Sequence, residues 1–538
     1  MGSDSASTFV KLVKRTLAEQ DMICVSIGRT RHKMMIMECQ MAQEAGAELI
    51  ELRLDFLSRA IDLKRLLAVK KVPMIATIRR REDGGRWSKS EDERQMLMRL
   101  AIVGGFDWVD IETDIADKVK RFGKVKRVVS YHNPKEVPKN LEEIFEKMHH
   151  QDADVLKVAV KIDKPQDMWR VMRLMKHGKK PTIAIAMGDY GVPTRILGAK
   201  YGAPFTYAAF NKERGIAPGM FSFDEMKNIY HYDKINKDTK VYAVVGDPII
   251  HSMSPIAHNA AFQHLGMNAV YVPIQVPKDD FIDTLQMLAK VPVSGYSVTM
   301  PHKEMVHDFA NERDDIVRAC KAGNTLVPRS DGFYAYNTDY PAALSALRAA
   351  MADLESGDSV HGRQVLILGA GGTARTLAHG LHKEGALVII ANRSMEKALG
   401  LADEIGCRAV DWNARNAQNC EIIINCTPVG QHPNIDESPL HPSVFRPGLT
   451  VMDCVYHPET TMMIREARDR GCKIVTGVEM FIRQAAEQFK HFTGQAAPVE
   501  AMLSAVRKVI SPVSPRPGLP MKPPEVDDYE MEYTKVDD

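Results

Sequence analysis

The sequence predicts an α/β chain: an N-terminal (β/α)8 TIM barrel, then a smaller α/β substrate domain, and then a Rossmann domain. Three observations predict it. Short apolar runs near 22–27, 48–54, 73–78, 107–111, 125–130, 153–160, 181–186 and 204–208 alternate with helix-like stretches such as Glu38–Ala45, Glu91–Ile102 and Leu141–His149. Arg53, Arg79, His132 and Arg195 stand at or just past the ends of those runs, and Lys157 lies inside one. Further on, the apolar run 364–368 leads straight into a glycine-rich turn.

Strands that alternate with helices imply right-handed βαβ units and a parallel sheet. Eight units in about 200–250 residues match a closed (β/α)8 barrel, whose chemistry lies at the C-terminal strand ends. A doubly wound open sheet is the alternative. Lys157 sits in Ala-Asp-Val-Leu-Lys-Val-Ala-Val (153–160). An ammonium in such a run is costly unless its charge is suppressed or used. An amine discharged against an apolar wall is the kind of nucleophile that forms a Schiff base with a ketone. A lone lysine would more simply snorkel to the surface. Polar companions at successive strand ends argue instead for one active site.

A chain of 538 residues should hold two to four domains on a prior of roughly 150 residues each. Lys+Arg (71) nearly balances Asp+Glu (69), so there is no basic field for nucleic acid or an anionic membrane. No apolar stretch approaches the roughly 20 residues of a membrane-spanning helix. No signal-peptide core is seen, and Thr8–Gln20 reads as a short amphipathic helix. Eight scattered cysteines without zinc-type spacing fit a reduced cytoplasm and no metal site. The expected boundaries are a barrel at 20–230, a polar linker at 231–240, a substrate domain at 241–340 completed by 477–510, a nucleotide domain at 341–476, and a disordered tail at 511–538.

Gln364-Val-Leu-Ile-Leu-Gly-Ala-Gly-Gly-Thr-Ala-Arg375 fits G-x-G-x-x-A between a strand and a helix. Gly369, Ala370, Gly371, Gly372, Thr373 and Ala374 would let backbone approach a pyrophosphate at a helix N-terminus. After the next strand, an NAD site would carry a carboxylate. Here Asn392-Arg393-Ser394 follows, with Lys397 one turn on. An arginine at that place can pair with a 2′-phosphate, so NADP is expected.

Before this domain, Ser252 and Ser254 alternate within Asp247-Pro-Ile-Ile-His-Ser-Met-Ser-Pro255, where both can donate to one anion. Gly295-Tyr-Ser-Val-Thr-Met-Pro-His-Lys303 offers Ser297, Thr299 and Lys303; Gly323-Asn-Thr and Tyr336-Asn-Thr-Asp339 follow. A lysine and an aspartate from separate loops, among hydroxyls and amides, suit polyol recognition and proton transfer.

The second half resembles shikimate dehydrogenase through His251-Ser-Met-Ser-Pro, Val298-Thr-Met-Pro-His-Lys, Ala322-Gly-Asn-Thr, Asn337-Thr-Asp, Asn392-Arg-Ser, Asn425-Cys-Thr-Pro-Val-Gly, Asp453-Cys-Val-Tyr-His-Pro and Gly477-Val-Glu-Met-Phe-Ile-Arg-Gln. The first half is similar to type I 3-dehydroquinate dehydratase through Glu51-Leu-Arg-Leu-Asp, Thr77-Ile-Arg, Ser130-Tyr-His, Leu156-Lys-Val and Ile216-Ala-Pro-Gly. The order resembles the bifunctional fusions of the shikimate pathway.

The resemblance implies that Lys157 condenses with the C3 ketone of 3-dehydroquinate. His132 would move the C2 proton, Arg195 would clamp the carboxylate, and Glu51, Arg53 and Arg79 would line the ring. No metal is implied, because the Schiff base acts as the electron sink. For the dehydrogenase it implies Lys303 and Asp339 as the proton-transfer pair. Ser252 and Ser254 would then hold the carboxylate, Ser297, Thr299, Asn324 and Gln484 the hydroxyls, with Tyr456 at the cleft and Thr427 and Gly477 beside the cofactor. Substrates would be 3-dehydroquinate, 3-dehydroshikimate and shikimate. There are departures: Asp83 stands where the family has Glu, and Ile216 and Met220 stand where its lid has Ser and Gln. Two other readings are a quinate dehydrogenase and a non-catalytic metabolite sensor. Retention of Lys157, His132, Lys303 and Asp339 weighs against the sensor.

Overall fold

The computed structural model describes residues 22–354 and 357–510. The expected helix Thr8–Gln20 and the tail 511–538 lie outside the described residues. Eight parallel strands open the chain: β1 (Met22–Ile27), β2 (Leu49–Arg53), β3 (Met74–Thr77), β4 (Trp108–Glu112), β5 (Lys126–Asn133), β6 (Val155–Lys161), β7 (Thr182–Met187) and β8 (Phe205–Ala209). Each pairs with its sequence neighbour from β1 to β7, and β8 returns to pair with β1. Helices between the strands are locally specified. For example, Ser90 caps helix Glu91–Gly104 with Glu93 in a reciprocal capping box, and Gly105 ends it at φ 111°.

The barrel is near-closed rather than closed as expected. No ladder joins β7 to β8 among the described residues. The short helix Val192–Ile196 is wedged there. Thr194 Oγ1 accepts the β7 N–H of Ala186 at 3.1 Å, while Thr206 of β8 donates to the Arg195 carbonyl at 2.8 Å. The first bond satisfies an edge N–H of β7 that a ladder would pair, and the second, from the Thr206 hydroxyl, satisfies a carbonyl of the insert itself. Gly191 is required at the entry: a Cβ there would lie 2.1 Å from the Ala186 carbonyl oxygen.

The segment 231–240 is not a free polar linker. Tyr232 is fully buried and Ile235 is 3% exposed, because the chain packs its two apolar side chains as it leaves the barrel. The second sheet contains β9 (Lys240–Gly246), β10 (Ala269–Gln275), β11 (Val293–Val298), β12 (Glu312–Arg313), β13 (Thr325–Arg329) and β14 (Gly332–Tyr336), in the order β10-β9-β11-β13-β14-β12. Alternation along β9 sends Val241, Ala243 and Val245 to one face and Tyr242 and Val244 to the other. The first set belongs to the same apolar cluster as the barrel core. The barrel and the substrate domain therefore share one contiguous core. The second set packs with helices Ser254–His264, Gly477–Thr493 and Val499–Ile510. The last two come from beyond the nucleotide domain.

The third sheet is wholly parallel: β15 (Gln364–Leu368), β16 (Leu387–Asn392), β17 (Arg408–Asp411), β18 (Ile422–Asn425), β19 (Thr450–Asp453) and β20 (Lys473–Val475). Its order, β17-β16-β15-β18-β19-β20, is the doubly wound dinucleotide-binding arrangement. Val365 and Ile367 face one apolar layer, and Leu366 and Leu368 the other. The order reverses next to β15, which opens the ligand crevice there.

Candidate active sites

In the barrel, alternate positions of the strands point inward and are polar. Glu51 of β2, Asp110 and Glu112 of β4, Ser130 and His132 of β5 and Lys157 of β6 meet there. Lys157 Nζ donates to Asp110 Oδ2 at 3.2 Å, lies 3.9 Å from Glu51 Oε1, and stands 3.9 Å from the centroid of the Tyr207 ring. This corrects the expectation of an apolar wall: the ammonium is held by carboxylates, since inward positions at this level carry charge while outward ones are apolar. Glu51 accepts from Thr77 Oγ1 at 2.7 Å and from Ser26.

Arg79 is 3% exposed, pairs with Glu112 at 2.7 Å and Asp110 at 2.8 Å, and donates to Ser130 at 3.0 Å. Burial tends to raise the Asp110 pKa, but Arg79 and Lys157 outweigh it and hold the carboxyl well below the usual range. His132 keeps a buried Nδ1 with no hydrogen-bond partner. Burial, then the cations Arg79 and Lys157, push its pKa well below the ordinary value. The imidazole is therefore a neutral proton acceptor at pH 7.

Arg195 is 3% exposed and makes no ion pair among the described residues. Burial lowers its pKa to about 10, which still leaves it charged. One Nη donates to the Pro218 carbonyl in the last loop at 3.2 Å. A buried guanidinium without a carboxylate is an anion receptor in waiting. The loop that carries Pro218 also carries Ile216 and Met220, both half-buried, with Met220 packed against the apolar core. Ile216 borders a groove of about 390 Å³ with Phe56 and Arg86.

Arg53 is committed to Asp55 through two bonds of 2.9 and 2.8 Å. Asp83 accepts from Arg80 at 2.7 Å, and Arg80 also holds Asp114. Asp83 is thus spent on the rim rather than brought to the Lys157 cluster. One methylene shorter than Glu, it is within reach of its neighbour three residues back.

In the second half, Lys303 Nζ donates to Asp339 Oδ2 at 2.5 Å and to Thr373 Oγ1 at 3.3 Å. Asn324 Nδ2 reaches Asp339 Oδ1 at 3.0 Å, Thr338 Oγ1 at 2.9 Å and Gln484 Oε1 at 3.4 Å. Gln484 comes from the helix Gly477–Thr493, so the chain's return to this domain completes the cluster. Ser252 Oγ accepts the N–H of Ser254 at 3.3 Å, and Tyr456 packs on Phe481 at 5.3 Å. Thr299 is half-buried on the same loop as Lys303.

Ser297 departs from expectation. It is 4% exposed, accepts from Tyr271 at 2.5 Å and donates to Gln488 Oε1 at 2.7 Å. Its hydroxyl is engaged inside the domain by partners from β10 and the returning helix. Gln488 also donates to the Asn324 carbonyl at 2.9 Å and Thr325 Oγ1 at 3.0 Å, which steadies the strand that delivers Asn324.

The glycine turn fits a pyrophosphate. Gly369 has φ 112°, a region that disfavours any side chain. A Cβ at Gly371 would meet nothing within 4 Å, so the backbone there is open to a ligand. Helix Gly372–Lys383 begins at once with Thr373 and Ala374 behind Ala370. A Cβ at Gly372 would lie 3.6 Å from Lys303, so the turn and the Lys303–Asp339 pair face one crevice. Arg393 and Lys397 are exposed beyond β16 without ion pairs among the described residues, beside Asn392 and the helix-capping Ser394. Thr427 is oriented by Asn425 at 2.7 Å, and a Cβ at Gly477 would strike the Val455 carbonyl at 2.1 Å.

Asp110, Glu112, Tyr207, Thr338 and Gln488 were not singled out from sequence. Asp110 and Glu112 had a readable signal, two carboxylates at alternate positions of Trp-Val-Asp-Ile-Glu (108–112).

A polar barrel mouth built around a paired lysine, joined to a crevice that fits a dinucleotide beside a second lysine, defines a two-site enzyme: a lyase barrel ahead of a nicotinamide-dependent dehydrogenase. Comparison with known families gives the same division. The type I 3-dehydroquinase family model matches residues 23–237, and the shikimate dehydrogenase substrate-binding domain matches 244–326. The shikimate/quinate 5-dehydrogenase model matches 351–450 and the shikimate 5′-dehydrogenase C-terminal domain 477–507. The bifunctional 3-dehydroquinate dehydratase/shikimate dehydrogenase of Arabidopsis thaliana, described as chloroplastic, is 34% identical over 502 residues, 89% of this chain and 83% of that protein. The shikimate biosynthesis protein AroDE of Chlamydia pneumoniae is 29% identical over 82% of this chain and 89% of its own length. The NADP(+) shikimate dehydrogenase of Syntrophobacter fumaroxidans is 37% identical over 51% of this chain and 95% of its own.

The chain belongs to the family of bifunctional 3-dehydroquinate dehydratase/shikimate dehydrogenases. It is a lyase and an oxidoreductase of the shikimate pathway, and NADP is the cofactor of its second half. No helix among the described residues is long and apolar enough to cross a membrane.

Proposed function

We propose that the barrel converts 3-dehydroquinate to 3-dehydroshikimate on Lys157, and that Lys303 and Asp339 serve the reduction of 3-dehydroshikimate to shikimate. The convergence of Lys157, neutral His132 and uncompensated Arg195 at one barrel mouth carries the first assignment. Arg195 binds the substrate carboxylate, and Lys157 Nζ adds to the C3 ketone with loss of water. The resulting iminium draws electrons from the C2–H bond as His132 accepts the proton. His132 then returns that proton to the departing C1 hydroxyl. Arg79 and Asp110 hold the strand-end charges in place without touching the reacting carbons.

In the second half NADP, when bound, supplies or accepts hydride. Lys303 and Asp339, hydrogen-bonded to each other and to Asn324, hold the substrate oxygen and move its proton. Ser252 and Ser254 hold the carboxylate, and Gln484 and Asn324 the ring hydroxyls. Eight cysteines scattered through the sequence without paired spacing support a reducing cytoplasmic location.

Three measurements follow from these assignments. Arg393→Ala should raise the KM for NADP by about ten- to a hundredfold, the worth of a charged hydrogen-bond partner, and that for NAD far less. Equal losses would put Arg393 outside the cofactor site. Ile216→Ser with Met220→Gln should lower the dehydratase KM with a smaller change in kcat, because ground state and transition state gain alike. An unchanged or higher KM would mean that other groups already satisfy the substrate. The third concerns pH. His132 titrates well below an ordinary histidine, so dehydratase kcat/KM should hold as pH falls from 7 through about 6.5, where an unperturbed imidazole would be half protonated. A decline centred near 6.5 would mean that His132 is not the base or is not shielded as described.

A further inference from the structure

Tyr207 lies at the middle of β8, opposite Cys24 of β1, and is 4% exposed. Its ring packs edge-on against Phe205 at 5.5 Å, which fixes its plane. Lys157 Nζ is 3.9 Å from its centroid. Its hydroxyl is buried and without a hydrogen-bond partner. Burial, then Glu51 and Cys24, push the phenol pKa well above the ordinary value, so the ring is never a phenolate beside the lysine.

We propose that Tyr207 is a further catalytic group of the dehydratase, its ring face carrying the positive charge of the Lys157 nitrogen through the iminium stage. The inference rests on the reading of Lys157 as the imine former. In the resting enzyme the ammonium has three N–H bonds, one donated to Asp110 at 3.2 Å. For condensation one proton must first leave the nitrogen to free its lone pair. The C–N bond then forms as the C–O π bond breaks, the ketone oxygen becomes a hydroxyl, and that hydroxyl leaves as water, which accounts for the two protons the nitrogen has lost. The nitrogen then keeps a single N–H and a double bond to carbon. It can donate to only one acceptor, so directional hydrogen bonding falls just when the charge must persist. Attraction to a ring face needs no N–H and grows when water is excluded. When His132 takes the C2 proton, the electron pair moves onto nitrogen and the charge disappears. It returns as the C1 hydroxyl leaves. The ring face therefore favours the two charged stages over the neutral enamine between them.

The test compares Tyr207→Phe, Tyr207→Leu and Tyr207→Met in the full chain. Dehydration kcat and the yield of borohydride-reduced 3-dehydroquinate adduct on Lys157 are the readouts. The Phe variant keeps the ring and should stay within about twofold in both, whereas Leu and Met should lose about five- to thirtyfold in both, the range of a desolvated cation–ring contact. Met guards against a Leu variant that fails to fold. Leu or Met variants within twofold of the parent, or a Phe variant that falls as far as they do, would overturn the proposal. If the parent chain itself gives no adduct on Lys157, the Schiff-base reading fails. An adduct in the parent that is undiminished in Leu and Met would sink the role of Tyr207 alone.

Discussion

Replacing Lys157 by alanine is expected to slow dehydration of 3-dehydroquinate by a factor on the order of ten thousand to a million, as for loss of a covalent nucleophile. Among the described residues the cations acting on His132 are Arg79, Lys157 and Arg53, and of these Lys157 alone carries an amine that can condense with a ketone. Shikimate oxidation should stay within about twofold, because sites without shared partners behave nearly independently. The variant also leaves Asp110 and Glu51 short of a cation, which costs about 3–5 kcal/mol when a buried pair is broken. The thermal midpoint should therefore fall as well. Because the barrel and substrate domain share one apolar cluster, a thermal midpoint and a dehydrogenase assay belong beside each rate. Lys157→Arg separates the effects: it keeps a charge opposite Asp110 but cannot condense with a ketone. It should be as inactive as the alanine variant and more stable. Substantial dehydration by either variant would contradict the covalent assignment.

The second large effect is expected at the other lysine. Lys303→Ala or Asp339→Asn should lower the dehydrogenase kcat by about a hundred- to ten-thousandfold, the usual worth of a positioned proton-transfer group. The KM for NADP should change less than kcat, since the proposed cofactor contacts are the Arg393 side chain and the backbone of the glycine turn rather than the Lys303 amine or the Asp339 carboxylate. Dehydration should continue at the parent rate. A variant that loses cofactor affinity in proportion to kcat would show instead that Lys303, which reaches Thr373 at 3.3 Å, acts chiefly by holding the turn.

Much of this was legible in the sequence, for reasons of periodicity. Eight apolar runs, all but one neighbouring pair separated by a helix, specify the barrel because each strand is buried on its outer side and the helices cover it. The glycine turn was legible because its positive φ at Gly369 and open backbone at Gly371 leave few alternatives to glycine. What the pattern could not reveal was the direction of side chains within a run. Lys157 looked like a charge in an apolar wall because its sequence neighbours point outward, while its spatial neighbours Asp110, Glu51 and Tyr207 come from three other strands. Ser297 looked like a ligand-facing hydroxyl, yet Tyr271 and Gln488 close on it from 26 residues before and 191 after. The unpaired β7–β8 seam is accompanied by Thr194 accepting an edge N–H of β7 and by the Thr206 hydroxyl anchoring the insert, a tertiary detail without periodic signature. The polar reading of 231–240 missed Tyr232 and Ile235 because two buried residues do not make a pattern.

The central claim, two successive reactions on one chain with Lys157 as the first nucleophile, is tested most directly by supplying only 3-dehydroquinate and NADPH to the purified protein. Enone absorbance should rise and then decay as NADPH is consumed, one equivalent for each 3-dehydroquinate. Borohydride added early should stop the sequence and leave the ligand on Lys157. Enone that accumulates without NADPH loss would contradict the dehydrogenase assignment. An active dehydration with no adduct on Lys157 would contradict the account of the barrel.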